Sequence, residues 1–283
     1  MVHRLHVSGE QTRAVVLDPG HMSSRFDDAV EVVVGDLTST LSVEKVCRGA
    51  SVVYNCFEPM VSRWEELSAR VNSNLLLASI NERAVLAMAS RVFNSADDNQ
   101  NMERDAIEAS ESGVAKVVVA QIPQVYGPGA LPDQFASVFD EAIKGKRAHW
   151  GGQMDVRRSM VYILDAADAL VSLANAEPAQ GRRWQIAGPG PLTGRKVIEM
   201  AFQVMEKTAN IGSGLWGIRG RVSIPRRFSY DYDSEFILDG SDFSLAFPGF
   251  SFTPHETAIG VSLEWYRDRL QIREGGPIMQ ESR

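Results

Sequence analysis

Residues Ala29 to Pro59 read AVEVVVGDLTSTLSVEKVCRGASVVYNCFEP. Val30 to Val34 is a nearly continuous apolar run, and Gly35-Asp36 ends it. The segment that follows sets Val43, Val46 and Cys47 on one helical face, and Ser51 to Tyr54 is apolar again. The pattern is strand, turn, helix, strand. Runs this apolar suit strands covered on both faces, and such strands belong in a parallel sheet flanked by helices. Ligands of such sheets sit beyond the carboxyl ends of the strands, which directs attention to Asp36 and to the turn from Asn55 to Pro59.

Toward the N-terminus, Arg13 to Leu17 is a short strand closing on the turn Asp18-Pro19-Gly20, and Val2 to Val7 reads as a scrap of helix. Toward the C-terminus, Ser62 and Glu65 form a capping box, and Trp64, Leu67, Val71 and Leu75 recur at helical spacing to about Ile80. Ala84 to Ala89 is expected as a buried strand, Asn94 to Asn101 as a polar loop containing the solvated Asp97 and Asp98, and a helix runs from about Asn101 to Gly113. Val114 to Ala120 is the next strand and leads into the tight loop Gln124 to Gly129. Phe135, Val138, Phe139, Ala142 and Ile143 mark a helix stopped by Gly145, and Ser159 to Leu164 is a strand followed by Asp165 as N-cap. Arg183 to Ala187 is strand-like, and Thr193 caps a helix carrying Val197, Met200, Ala201, Val204 and Met205. The last helix has Thr253 as N-cap, Pro254 in its first turn and Ile259, Leu263 and Tyr266 facing inward.

The chain has 283 residues and a net charge of -7, with a pI of about 5.3. No dense basic run offers an electrostatic footprint for nucleic acid or an anionic membrane, so a small-molecule partner is expected. The two cysteines, Cys47 and Cys56, lie in apolar context and read as reduced, packed thiols. The first residues carry neither a signal core nor a membrane span, which places the protein in the cytoplasm. The five histidines are scattered without metal-ligand spacing, so no metal site is expected. Trp64, Trp150 and Trp265 are read as packing residues.

Several of these stretches together resemble the extended short-chain dehydrogenase/reductase family, in particular its NAD-dependent epimerase/dehydratase branch. They are VEVVVGDLTS, GASVVYNCFEP, QVYGPG, RRSMVYILDAADAL and RWQIAGPGPLTGRKVIEM, in the family's order and close to its spacing. The resemblance runs from about Arg13 to Leu270. It implies an α/β fold: a Rossmann-like parallel sheet with helices on both faces and a smaller C-terminal substrate lobe. On that pattern residues 1–130, with strands returning at about 158–187, form the Rossmann-like domain. Residues 131–157 and 188–270 form the smaller lobe, and 271–283 a flexible tail.

The resemblance also implies site residues. Asp18 matches the acidic residue that binds the adenosine ribose of NAD or NADP, Asp36-Leu37 the pair beside the adenine, and Cys56 and Phe57 the loop along the cofactor. Gln121 stands where the family usually has Arg, and Arg158 and Tyr162 flank the substrate position. The alternatives are that Asp18 and Asp36 merely end strands in turns, that Arg158 is a surface arginine beside a strand, and that Tyr126 is a packed turn tyrosine rather than an acid. Family members often pair as homodimers through the helices placed here at 62–80 and 101–112.

Two family features are missing. The first strand, its Gly-rich phosphate turn and most of the first helix would lie before Met1 on this alignment, and those glycines let backbone N–H groups approach a diphosphate. Gly212 to Gly217 fits G-x-G-x-x-G but follows a helix, and Gly188 to Thr193 carries prolines that remove amides, so both read as turns. The family's Tyr-x-x-x-Lys, in which the ammonium lowers the phenol pKa for proton transfer, is absent, with Asn101 and Asp105 at the aligned positions. Met88 and Ala89 occupy the helper-hydroxyl position, with Ser90 one step away. The expectation is an epimerase/dehydratase-like protein directed at a small polar metabolite such as a sugar derivative, with impaired or altered use of NAD or NADP. The alternatives are a non-catalytic metabolite-binding or regulatory member, and a cofactor-free enzyme using the old cleft.

Overall fold

A computed structural model describes residues 1–17, 30–57, 64–92, 97–130, 134–212 and 233–275. The turn at Asp18, the Ser62 cap, Gly214 and Gly217 of the G-x-G-x-x-G match, and residues 276–283 lie outside them. The chain divides into two compact units. The first comprises Met1–Pro123, Leu164–Ile186 and Asp239–Phe250, and the second Gln124–Ile163, Ala187–Leu238 and Ser251–Arg283.

The first unit opens with helix α1 (Val2–Val7), strands β1 (Arg13–Val16) and β2 (Glu31–Val34), helix α2 (Thr40–Cys47) and β3 (Val52–Asn55). Of these, β2, α2 and β3 are the elements expected from the first-quoted stretch. Helix α3 (Trp64–Glu82), β4 (Val85–Arg91), α4 (Asp97–Glu111) and β5 (Lys116–Ile122) follow. β1 and β2 form a parallel pair, and β3, β4 and β5 form a parallel sheet that β8 (Arg182–Gln185) joins in the order β3-β4-β5-β8. Among the described residues the two sheets share no strand pairing, and every pairing within them is parallel.

The physics of the core follows the apolar pattern. Val117 to Ala120 of β5 and Leu86 of β4 are fully buried, and Val43, Val46, Val53, Val71 and Leu75 complete the cluster on one side of the sheet. Each such side chain contributes roughly 1.5–3 kcal/mol on burial. α2 ties the β1-β2 pair to this cluster: Val46 sits against it, and Arg13 Nη1 donates to the Val46 carbonyl at 2.9 Å. Ser39 caps α2 by accepting the Ser42 N–H. β2 departs from expectation, because Glu31 and Val34 are exposed and, among the described residues, only β1 pairs with it. Its apolar run therefore belongs to a sheet edge rather than to a strand covered on both faces.

In the second unit, β6 (Gln124–Tyr126) pairs in parallel with β7 (Met160–Tyr162). Helix α5 (Gln134–Lys144) packs with α7 (Gly194–Val204) and with the final helix, which spans His255–Gly275. Val138 and Phe139, Val197 and Ala201, and Ile259 and Leu263 are among the buried residues of the three. Trp150 lies edge-on to Phe135 at 5.5 Å, and Tyr266 packs on Phe139 at 5.5 Å. Thr193 caps α7 as the sequence implies, accepting the Lys196 N–H at 3.2 Å.

Three boundaries shift. α4 begins at Asp97, inside the stretch expected as a loop. Helix α6 (Ile163–Ala174) starts at Ile163, so Asp165 lies buried in its first turn rather than at its N-cap, and β7 is correspondingly short. The apolar run of β7 continues without a turn signal into a helix of similar composition, which is why composition alone misplaces the junction. Between α7 and the final helix lies α8 (Ser241–Ala246); the final helix is then α9.

Gly188 and Gly129 separate conformational strain from steric exclusion. Both have positive φ, +79° and +75°, but a Cβ on Gly188 would meet the Met160 carbonyl oxygen at 2.2 Å, whereas nothing lies within 4 Å of one on Gly129. Gly129→Ala is expected to cost about 1 kcal/mol from the backbone alone. Gly188→Ala should cost at least about 3 kcal/mol through its clash with backbone. Urea unfolding of the two variants measures the difference, and equal losses would contradict the assigned packing of Gly188 on β7.

Candidate functional site

The carboxyl ends of the parallel strands in the first unit carry most of the residues singled out from sequence. Beyond β2, Asp36 is exposed, and its Oδ1 accepts from Thr38 Oγ1 at 2.7 Å and from Thr38 N–H at 2.8 Å. These bonds, the hydroxyl first, hold its carboxyl below the ordinary aspartate range. Leu37 packs against the core, and its carbonyl accepts from Asn74 Nδ2 at 2.9 Å. Beyond β3, the Phe57 N–H donates to Asn55 Oδ1 at 3.1 Å, while Asn55 Nδ2 donates to Asn72. Cys47 is buried, but Cys56 is exposed, contrary to the expectation of two packed thiols. It falls just after the last residue of β3, where the chain leaves the sheet. Asp18 lies outside the described residues.

At the ends of β4, β5 and β8 a carboxylate that the sequence reading missed gathers three donors. Glu103 of α4 is 1% exposed. Ser90 Oγ donates to its Oε1, while Gln121 Nε2 at 3.2 Å and Arg183 Nε at 2.8 Å donate to Oε2. Burying a carboxylate is tolerable only with a cation and hydrogen bonds to satisfy it, and here both are supplied. The spacing of Glu103, Ala106 and Ile107 was the available signal. All three are buried, so Glu103 lies on the inward face of an otherwise polar helix.

This arrangement explains what Ser90 and Gln121 do. Ser90 is committed as a donor to Glu103, and Gln121 spends its amide N–H on the same group. The neutral Gln121 amide and Arg183, from the neighbouring strand, share Glu103 Oε2, and Arg183 supplies the positive charge. Asp105 is exposed on α4, and the side chain of Asn101 is outside the description. Among the described residues no group of three or more histidine, cysteine, aspartate or glutamate side chains could hold a metal, and no helix is long and apolar enough to cross a membrane.

The remaining residues fall in the second unit. Tyr126 is buried, stacked on Phe135 with ring centres 4.8 Å apart and close to Tyr162 at 6.1 Å. His255 Nε2 lies 2.8 Å from the Gly190 carbonyl, and its Nδ1 lies 2.8 Å from Tyr126 Oη. A carbonyl only accepts, so in the neutral ring Nε2 carries the proton and Nδ1 accepts from the phenol. Tyr126 thus serves as a hydrogen-bonded core tyrosine. Arg158 is buried rather than a surface arginine: its Nη1 donates to the Ser234 carbonyl at 2.6 Å, and its guanidinium lies 5.4 Å from the Phe236 ring centre. Tyr162 is buried beside Tyr126.

Two tests follow from these contacts. Arg183→Met should cost about 3 kcal/mol, because it leaves the Glu103 carboxylate buried without a cation. Adding Glu103→Gln should recover more than half of that loss in urea unfolding, and an additive double variant would contradict the pairing. Tyr54 of β3 is pushed up to about 12 from 10.0 by burial, with Glu10 adding to the effect. The folded state therefore keeps a proton that the unfolded chain releases, so this contribution is intact below pH 10 and lost as pH rises toward 12. Tyr54→Phe should flatten that loss in pH-dependent unfolding; an unchanged slope would contradict the shift.

No protein-family model and no curated protein matches the sequence. Solved structures do match it in shape. An epimerase from Methanothermobacter thermautotrophicus superposes with a TM-score of 0.80 at 12% identity, over 96% of this chain and 90% of that one. UDP-glucose 4-epimerase from Thermotoga maritima, solved with UDP-glucose, gives 0.74 at 14% identity, over 95% and 94% of the two chains. dTDP-glucose 4,6-dehydratase from Bacillus anthracis, solved with NAD, gives 0.76 at 16% identity, over 94% and 92%. Together with the parallel pairing of the strands, these likenesses show that the chain has the Rossmann-like fold of the epimerases and dehydratases on which it superposes.

Proposed function

We propose that the protein is an epimerase/dehydratase-like protein that binds a small polar metabolite, a sugar derivative in the first instance, with altered dinucleotide use and without the family's hydride transfer. The observation that carries this reading is the engagement of Ser90. A hydroxyl that could assist proton movement at the strand ends instead donates to Glu103, in a cluster already neutralised by Arg183. No tyrosine of the chain has a lysine four residues later to act as the base.

What supports binding is the retained fold and the groups at its strand ends. The Asp36 carboxylate is held ionised, and Leu37 and Phe57 offer partly buried apolar surface beside it. These groups suit the ribose and base of a nucleotide. The glycine-containing turn from Gly188 to Thr193, which opens α7, carries Pro189 and Pro191 and so lacks two of the amides a diphosphate would need.

The test pairs calorimetry with a redox assay on the 283-residue chain. Titration with UDP-glucose is expected to give a saturable binding heat, and incubation with UDP-glucose and NAD to give no UDP-galactose, no 4-keto sugar nucleotide and no NADH. Formation of any of these products would overturn the non-redox reading, and absence of binding heat would overturn the choice of a sugar derivative.

A further inference from the structure

Beside the Glu103 cluster, the first unit carries an open pocket of about 690 Å³. Arg104 of α4, Gln121 of β5 and Arg183 and Gln185 of β8 form one part of its wall, and Asp239, Ser241 and Asp242 at the start of α8 form another. Among the described residues every lining side chain is polar or charged. An apolar ligand would gain little there, so hydrogen bonds and charge carry recognition in this pocket.

The bonds within the wall leave a defined residual capacity. Arg183 is tied to Glu103 through Nε, and no partner of its Nη atoms is found among the described residues. Gln121 donates through Nε2, leaving its carbonyl oxygen to accept. Gln185 accepts the Asp239 N–H at 2.7 Å through its carbonyl, leaving its NH2 group to donate. Asp239 accepts the Ser241 N–H at 3.0 Å, and its Ser241 bonds keep it ionised. The wall therefore keeps both donors, on Arg183 and Gln185, and acceptors, on Gln121 and Asp239. Such groups match neighbouring hydroxyls, each of which can donate and accept.

Charge narrows the ligand further. Arg183 is compensated by Glu103, and Asp242 by Arg182 at 3.2 Å. Among the described residues Arg104, whose ion pair with Glu108 is long at 3.9 Å and exposed, and the Nη atoms of Arg183 offer positive charge to a ligand, while the ionised Asp239 restricts an anionic group to their part of the wall. We propose that this cavity is a binding site for a monosaccharide-sized polyol bearing one anionic group, its hydroxyls shared among Gln121, Gln185 and Asp239 and its anion held by Arg104 and Arg183. The proposal goes beyond the function inferred above. The site needs neither a dinucleotide nor the strand ends at Asp36 and Phe57, and could act as substrate site or effector site.

Calorimetry of the full chain with glucuronate, glucose 6-phosphate and glucose tests it, with Arg104→Ala and Asp239→Asn as variants. At least one of the two anionic sugars should bind about tenfold or more tightly than glucose. Which of the two binds decides between a carboxylate and a phosphate. Both variants should weaken that binding by about tenfold while keeping the wild-type melting temperature and any UDP-glucose binding. Failure of all three sugars to bind, equal binding of glucose, or affinity untouched by both variants would overturn the proposal. UDP-glucose binding, measured separately, reports on the reading given under Proposed function, so the two can fail independently.

Discussion

A carboxylate held almost wholly out of water is the constraint on which the candidate site depends. Glu103 could not remain buried and charged without donors, and the donors come from three successive strands of the parallel sheet: Ser90 from β4, Gln121 from β5 and Arg183 from β8. One carboxylate thus ties three strands to α4. The same bonds occupy the Ser90 hydroxyl and a donor of the Gln121 amide. A hydroxyl donating to a buried carboxylate is oriented by it, and an amide filling that carboxylate's remaining lone pairs is oriented too.

The second unit solves a different problem by similar means. Tyr126 brings a phenol into an aromatic core, and the cost of its hydroxyl is met by His255, whose other nitrogen is fixed by the Gly190 carbonyl. Arg158 is likewise buried with a carbonyl and an aromatic face as partners. Polar residues that look chemical in the sequence here hold packing together, and the groups with spare bonding capacity lie at the cavity beside β8.

The legible parts of the fold were those with strong local signals. The run from Val30 to Tyr54 gave two strands and a helix because its apolar spacing changes period where Gly35 and Asp36 break it, and Thr193 announced α7 because a capping hydroxyl is a local requirement. Pairing was less legible. Nothing in the residues of β2 distinguishes an edge strand from a covered one, since exposure depends on neighbours far away in the chain. The start of α6 was obscured by apolar residues that suit strand and helix alike. Glu103 went unnoticed because a glutamate in a polar helix is usually solvated, although its register with Ala106 and Ile107 placed it inward. The charge exchange behind Gln121 was invisible for the same reason: Arg183 reaches Glu103 only across a pairing that sequence does not reveal.

A crystal structure of the chain grown with NAD and UDP-glucose bears most directly on whether Ser90 has left the catalytic role. Ser90 Oγ is expected to stay on Glu103, with Gln121 and Arg183 unmoved and no nicotinamide ring within reach of the hydroxyl. An ordered dinucleotide with Ser90 turned away from Glu103 toward the nicotinamide or the sugar would contradict it.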